Sequence, residues 1–245
     1  MLKIFNCDLH IHTCLSPCGD LDMYPRALVE KSLERGLHVI AICDHNSSEN
    51  VQYVIKAARR KPLIILPGME ITTREEVHLL ALFDRLDELQ VLQEIVYSNL
   101  SGKNDEDVFG CQAIVNEMGE VEGFNERLLI GATDLSLKGL VEDIHRLGGL
   151  AIAAHIDREG FSVISQLGFI PEDIKFDALE ISARLEIEEA REKYPQLLSY
   201  PFLKSSDAHF LRDIGGAFTK FFLEEGTTTE IKMAFAKKGG RYIME

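Results

Sequence analysis

Short apolar runs alternate with amphipathic segments over most of the chain. Seven runs have the length and the apolar content of buried strands: "KIFNCDL", "HVIAIC", "LIILPGMEI", "VHLLALF", "LAIAAH", "ALEIS" and "FLKSSDA". Because these runs are almost continuously apolar, they favour a parallel sheet that is buried on both faces.

Two of the intervening segments carry the start and stop signals of helices. "YPRALVEKSLERG" has Pro25 near its start, apolar residues at helical spacing and Gly36 at its end. "SLKGLVEDIHRLGG" begins at Ser136, a residue type that caps helices, and stops at Gly148. The alternation predicts βαβ units in an α/β fold. About seven such strands favour a distorted, closed or nearly closed (β/α)7 barrel, with an open doubly wound sheet as the alternative.

Residues 101–131 break this alternation, because they are richer in glycine and polar residues than their neighbours. They lie between two βα units, so we interpret them as a small insertion within a single domain, 1–245, rather than as a second domain. We expect the insertion to lie over the active-site rim as a cap.

Composition adds limits on location and partners. The hydrophobic share of 46% and the charged share of 27% are typical of a soluble protein, and no apolar run could span a bilayer. The N-terminus lacks the features of a secretory signal, so we expect a cytoplasmic protein with no membrane partner. Five cysteines are an odd number for a disulfide framework, so we expect reduced thiols. The sequence does not indicate an oligomeric state.

The net charge is −14, and the basic residues are scattered rather than gathered in a stripe. We therefore expect no long duplex nucleic acid as a partner. Carboxylates that bind metal ions count as bare charges in this sum, so bound cations would offset part of it.

Residues of the types that bind metal ions follow the predicted strands. His10 and His12 share one face at the end of the first strand, and Glu70 lies at the end of the third. Six of the eight histidines belong to this set, which comprises His10, His12, His45, Glu70, His78, His155, Asp207 and His209. The carboxyl ends of strands in an α/β barrel form one rim, so we expect these side chains to meet there.

A buried cluster of imidazoles and carboxylates is unfavourable unless cations neutralise it. Nitrogen and oxygen ligands suit Zn, Mn or Fe, and their number exceeds the need of one tetrahedral ion, so we expect two to three divalent ions. Asp8 and Asp44 either orient ligand imidazoles or cap turns. We expect His38 and His145 to be packing residues outside the site.

These motifs resemble those of the polymerase and histidinol phosphatase (PHP) family of metal-dependent phosphoesterases. The resemblance covers nearly the whole chain and includes "DLHIHT", "CDHN", "PGMEIT", "EEVHLLALF", "AAHID" and "SSDAH" in the family's order. It implies a distorted seven-stranded β/α barrel with up to three ions. The implied ligands are His10, His12 and Asp207 for the first ion, Glu70, His78 and His155 for the second, and Asp20, His45 and His209 for the third. "SPCGD" departs from the family pattern, so Cys18 competes with Asp20.

The resemblance further implies that the substrate is a small phosphorylated metabolite, a nucleotide or a short oligonucleotide. A metal-bridged hydroxide would attack phosphorus, with Glu70, Asp207 and His209 as the catalytic residues. Arg158 and Arg184 are the candidates for binding the phosphate. Two alternatives stay open: a metal-dependent hydrolase of the amidohydrolase type, and a non-catalytic metal-binding regulatory module.

Overall fold

Nine strands form one curled sheet in the computed structural model, which describes residues 1–244. The strands of the sheet are β1 (Lys3–Ile11), β2 (Val39–Ile42), β3 (Ile64–Thr72), β4 (His78–Leu82), β7 (Leu150–Ala153), β8 (Ala178–Ile181), β9 (Phe202–Lys204), β10 (Thr219–Leu223) and β11 (Tyr242–Met244). A separate hairpin consists of β5 (Ala113–Val115) and β6 (Val121–Phe124).

The helices are α1 (Pro25–Glu34), α2 (Val51–Ala57), α3 (Leu86–Ser98), α4 (Glu106–Phe109), α5 (Leu137–Arg146), α6 (Val163–Leu167), α7 (Ile187–Lys193) and α8 (Thr228–Phe235), with two short 3₁₀ helices at Pro195–Leu197 and Leu211–Asp213. Both helices predicted from sequence form, as α1 and α5. Pro25 begins α1, and the Ser136 hydroxyl accepts a hydrogen bond from the Gly139 N–H at the start of α5. In the described part of the chain, no helix has the length and apolar content that crossing a bilayer requires.

All seven predicted runs form strands, but one of them runs against the expected direction. The sheet order is β11-β10-β1-β2-β3-β4-β7-β8-β9, and β4 is antiparallel to both β3 and β7. Only residues 73–77 connect β3 to β4, with the Thr73 N–H bonded to the Val77 carbonyl. A parallel connection needs a dozen or more residues, so this short link imposes a hairpin. The expectation of an all-parallel sheet was therefore wrong at β4.

The sheet curls until its two ends approach each other. The Thr219 hydroxyl in β10 donates to the Lys204 carbonyl in β9 over 2.8 Å, and the His12 N–H donates to the Ala208 carbonyl over 3.0 Å. The first contact joins β9 to β10, and the second joins the segment after β9 to the residue that follows β1. The result is a half-barrel with helices outside it, which confirms the predicted distorted β/α barrel.

Two apolar layers hold the barrel together. Leu9, Val39 and Leu80 belong to the cluster on one face of the sheet, while Ile40 and Leu79 pack with the helices on the other. Consecutive residues thus enter opposite layers, as the alternation of side chains along a strand requires. All five cysteines are free.

The segment 101–131 contains α4 and the β5–β6 hairpin and stands on the rim to which β1 and β3 lead. The Asp134 N–H donates to the Asn99 carbonyl, so the two ends of the segment lie side by side. Asn50 fixes the hairpin, because its side chain bonds the Ala113 carbonyl over 3.1 Å and the Val115 N–H over 3.0 Å.

Candidate metal centre

Glu70 lies at the centre of a buried group of imidazoles. It is 1% exposed, and five histidines place a ring nitrogen within 3.4 Å of its carboxylate. The shortest distances are 2.8 Å from His78 Nδ1 to Oε1 and 3.0 Å from His45 Nδ1 to Oε2. The complete set is His10 (3.4 Å), His12 (3.4 Å), His45 (3.0 Å), His78 (2.8 Å) and His155 (3.2 Å).

The strand directions explain why these side chains meet. His45 and His155 follow the carboxyl ends of β2 and β7, whereas His78 begins β4. Because β4 is antiparallel to its neighbours, its first residue lies on the rim that the other strands reach with their last residues. The reversal of β4 therefore adds to the cluster an imidazole that an all-parallel barrel would place at the opposite end.

Asp207 and His209 complete the cluster from the loop after β9. Asp207 Oδ1 lies 3.3 Å from His10 Nε2 and 3.1 Å from His12 Nε2. The His209 ring stacks on His12 with 4.1 Å between ring centroids. Asp207 and His155 both have positive φ angles, 49° and 28°. Such strained backbone in non-glycine residues occurs mainly at functional sites.

Three sets of ligand atoms are close enough to hold a metal ion: His12, His45 and His209; His10, His12 and Glu70; and His45, Glu70 and His78. They share members, so they describe adjacent sites. Buried His45 Nδ1, His78 Nδ1 and Asp207 Oδ1 each lie within 3.1 Å of another atom of the cluster, but none of them makes a contact of hydrogen-bond geometry with a described residue. Buried polar atoms are almost always satisfied, and a divalent cation could take all three of these atoms as ligands.

The charges of the cluster suit cation binding. Burial raises the pKa of Glu70, but the neighbouring imidazoles of His78, His10 and His45 outweigh it and hold that pKa well below its usual value. Burial, together with the charge of His209, keeps the pKa of His12 well below its usual value. Burial lowers the pKa values of His10 and His45, but neighbouring carboxylates outweigh it and raise both pKa values well above their usual value. Metals bind an ionised carboxylate and a neutral imidazole, so His10 and His45 would release protons when a cation binds.

The structure does not bring the Asp20 carboxylate into any of these three sets. Its Oδ1 accepts a hydrogen bond from the Asp22 N–H at 2.9 Å, within its own turn. Its main-chain N–H donates to the His209 carbonyl over 2.9 Å, which keeps the loop beside the cluster. Burial raises the pKa of the Cys18 thiol, but hydrogen bonds with His209 and His45 reverse this and lower it to about 6. The thiol of Cys18 is thus influenced by the two imidazoles for which the resemblance proposed Asp20, although Cys18 belongs to none of the three sets.

Glu180 is a site residue that the sequence reasoning missed. It lies within β8, is 1% exposed, and accepts hydrogen bonds from His10 Nδ1 at 3.0 Å and from the His155 N–H at 3.2 Å. A carboxylate on Nδ1 directs Nε2 of the same ring toward Glu70 and Asp207. The available signal was a glutamate inside the apolar run "ALEIS", where an unpaired charge would be costly.

Asp8 and Asp44, for which the sequence left two roles possible, both accept hydrogen bonds that organise loops. Asp44 accepts hydrogen bonds from the Thr13 N–H and the Ser16 hydroxyl, each at 2.7 Å, and the Ser16 oxygen lies 2.9 Å from His12 Nδ1. Asp44 thus reaches an imidazole only through Ser16. Asp8 accepts from the N–H groups of Ser206 and Gly215, beside the loop that carries Asp207.

His38 and His145 lie outside the cluster. His38 Nδ1 accepts a hydrogen bond from the Asn6 N–H at 3.0 Å, and its ring packs edge-on against Phe5. His145 Nε2 lies 2.8 Å from Asp177 Oδ2. Neither imidazole contacts the cluster around Glu70: His38 packs beside Phe5, and His145 pairs with a carboxylate.

A cleft of about 370 Å³ opens beside Asp207. Both arginines proposed from sequence line it, and Arg212 joins them. Arg158 Nη1 lies 2.6 Å from Asp207 Oδ2, so this guanidinium directly contacts a carboxylate of the cluster. The cleft therefore offers cationic donors next to the candidate metal centre.

Two curated proteins are similar in sequence. The uncharacterized protein YqxK of Bacillus subtilis is 28% identical over 269 residues, an alignment that includes 100% of this chain and 65% of that protein. A 5'-3' exoribonuclease of Haemophilus influenzae is 32% identical over 82 residues, or 32% of this chain and 29% of that enzyme. The chain thus spans less than two thirds of either relative.

Solved structures match the fold over almost the whole chain. The lesion-specific endonuclease PfuEndoQ of Pyrococcus furiosus has a TM-score of 0.79 at 21% identity, covering 99% of this chain and 58% of that one. An Endonuclease Q complex with a 27-mer duplex substrate, carrying an abasic lesion at the active site, has a TM-score of 0.75 at 21% identity, covering 99% of this chain and 59% of that one.

The duplex complex overturns the expectation that excluded long duplex nucleic acid as a partner. That expectation rested on net charge, which is a sum over the whole molecule. Binding depends on the local potential, and three arginines of this acidic chain line one cleft.

The family comparison agrees with the geometry of the cluster. The model of the PHP-associated region matches residues 189–237, from α7 to α8. The PHP domain model matches residues 8–162, more than half of the chain and the part that carries Glu70 and five of the clustered histidines. This chain belongs to the PHP domain family.

Proposed function

We propose that this member of the metal-dependent hydrolases is a phosphoesterase that acts on a small phosphorylated metabolite, a nucleotide or a short oligonucleotide. The observation that carries this proposal is the contact of Arg158 with Asp207, 2.6 Å at its shortest. It places a phosphate-binding cation beside the candidate metal centre. The nuclease names of several similar proteins support the same reaction class.

The cluster has enough donors for two to three divalent ions, which we propose to be Zn, Mn or Fe. The proposed ligands follow the family assignment, with Asp20 or Cys18 beside His45 and His209. When bound, such ions would activate water and neutralise charge on the phosphoryl oxygens.

The residues of the chain have distinct roles in this proposal. The ionised Glu70 carboxylate stands between the histidines of neighbouring sites, and so it keeps those sites close together. Arg158 orients the phosphate. His209 has a side chain 21% exposed, the most accessible imidazole of the cluster, and we propose that it donates the proton to the leaving oxygen. We also propose that segment 101–131 is a cap of this single domain and limits which substrates enter.

A phosphatase screen with added Mn tests the proposal, using mononucleotides, dinucleotides and aryl phosphates as substrates and cyclic amides as controls. We expect Glu70→Gln to lower turnover on the order of a hundredfold or more, because it removes the carboxylate shared between sites. His38→Asn is the matched control and should keep near-normal turnover. Thermal melts exclude unfolding as the cause. A folded, fully active Glu70→Gln protein would refute this mechanism.

A further inference from the structure

The arginine cleft is larger than one phosphate requires. Arg158 alone reaches the candidate metal centre, and a single guanidinium can bind a phosphate through two parallel hydrogen bonds. Arg184 and Arg212 line the same cleft of about 370 Å³, together with Ser182 and Ser206. A substrate with only one phosphate would leave these additional donors unused.

Arg212 is held in place although its side chain is 74% exposed. Its guanidinium carbon lies 4.4 Å from the centroid of the Phe210 ring, and its Nε lies 3.7 Å from Asp213 Oδ1. Stacking on an aromatic ring orders the arginine fork before a ligand arrives.

Phe161 forms an exposed aromatic surface at another part of the cluster. Its ring stacks on His78 with 4.6 Å between centroids and an interplanar angle of 18°, and yet 42% of the residue is exposed. Its φ angle is 57°, and its carbonyl accepts a hydrogen bond from the His78 N–H at 2.8 Å. A bulky residue rarely adopts this conformation, so the backbone at Phe161 is strained in the position that places the ring there.

The cluster therefore has cations on one side and an aromatic ring on another. Arg158 contacts Asp207, the ligand nearest the cleft, whereas Phe161 contacts His78, a ligand that reaches Glu70. Proteins that bind nucleic-acid strands combine a cationic path for the backbone with aromatic rings on which bases stack.

We propose that the substrate is a nucleic-acid strand of more than one nucleotide. Its scissile phosphate lies at the metal centre, further phosphates lie along Arg184 and Arg212, and a base stacks on Phe161. This inference rests on the proposed phosphoesterase function and names its substrate class. It assigns Arg212 and Phe161 as residues that select a strand over a mononucleotide.

A binding assay tests the inference without depending on hydrolysis. The probe is a short, fluorescently labelled phosphorothioate oligonucleotide, measured by anisotropy with the metal-loaded protein over a range of salt concentrations. We expect Arg212→Gln to weaken binding about tenfold and to reduce the dependence of log Kd on log salt by about 0.7, the value for one phosphate contact with a single strand. We expect Phe161→Ala to weaken binding about fivefold or more, and Phe161→Trp to retain it.

Arg146→Gln is the matched control, because Arg146 ends α5 near the amino end of β7, on the opposite side of the barrel. It should bind as the wild type does. Thermal melts establish that each variant is folded. Unchanged binding by both Arg212→Gln and Phe161→Ala would overturn the inference.

Kinetics separate this inference from the proposed function. The ratio of kcat/KM for a dinucleotide to that for 4-nitrophenyl phosphate should fall about tenfold in Arg212→Gln. Hydrolysis of phosphomonoesters with no effect of the variants on strand binding would leave the proposed function standing and refute the inference. Arginine-dependent strand binding without hydrolysis of any phosphoester would refute the proposed function, and with it the strand as a substrate, while the binding roles of Arg212 and Phe161 would stand.

Discussion

Glu180 gives the sharpest test of how the barrel supports its metal ligands. Its Oε1 lies 3.0 Å from His10 Nδ1 and accepts a hydrogen bond from the His155 N–H at 3.2 Å. Glu180→Leu removes both contacts. A partner of this kind typically contributes 10–100-fold in metal affinity. Since each factor of ten is about 1.4 kcal/mol, we expect binding to weaken by about 1.4 to 2.8 kcal/mol.

The loss should also appear in stability, because the buried His155 N–H would lack an acceptor at a cost of about 1–3 kcal/mol. Metal affinity is measured by chelator competition, and unfolding by denaturant titration of the metal-free protein. Glu180→Gln retains an oxygen acceptor and should lose less in both assays. Glu188→Gln, on the exposed side of α7, is the control. Wild-type metal affinity in a folded Glu180→Leu protein would refute the idea that Glu180 orients His10.

Three further predictions concern metal content, pH and the insertion. Protein purified without chelator should contain two to three equivalents of Zn, Mn or Fe by elemental analysis, and removal of the metal by a chelator should lower Tm. A content of one equivalent or none after metal reconstitution would contradict a site with several ions. Burial raises the pKa of Asp177, but hydrogen bonds from His145 and the Ala151 N–H, together with the charge of Lys232, outweigh burial and lower that pKa below its usual value. The Asp177 carboxylate therefore stabilises the fold above pH 4, and this stabilisation is lost as the pH falls further. In urea titrations, the free energy of unfolding of the wild type should exceed that of Asp177→Asn by about 1–3 kcal/mol at pH 7, and this difference should shrink below pH 4. A difference independent of pH would argue against a stabilising role of the Asp177 charge. Asn50→Ala should speed limited proteolysis within 101–131, because the Val115 N–H loses its buried acceptor; unchanged cleavage would show that other contacts fix the hairpin.

The sequence predicted the strands of the barrel well because their apolar runs are buried on both faces. It could not predict β10 and β11, which close the β1 edge by antiparallel pairing. In β10, "TKFFL", buried positions alternate with more exposed ones, so the run has only two or three core residues. The hairpin strands β5 and β6 are three and four residues long and depend on tertiary contacts such as those of Asn50.

The candidate site was predictable to the extent that its residues follow strands. His10, His45, Glu70 and His155 obey that rule, and the structure brings them together. Glu180 was missed because nothing in a single sequence shows which histidine lies across from it. The orientation of Asp20 depends on the hydrogen bonds of its loop, and the role of Arg212 depends on a cleft between loops distant in sequence.

The reversal of β4 also decides where the domain can vary. Because β4 ends at the bottom of the barrel, α3 returns the chain to the rim before the insertion, and α5 carries it down again to β7. Asn99 and Asp134 are hydrogen-bonded neighbours, so segment 101–131 leaves and re-enters the scaffold at one point. Closing a longer or shorter loop at such a point costs little extra entropy. Evolution or a protein engineer can therefore exchange this segment for another without altering the register of any barrel strand.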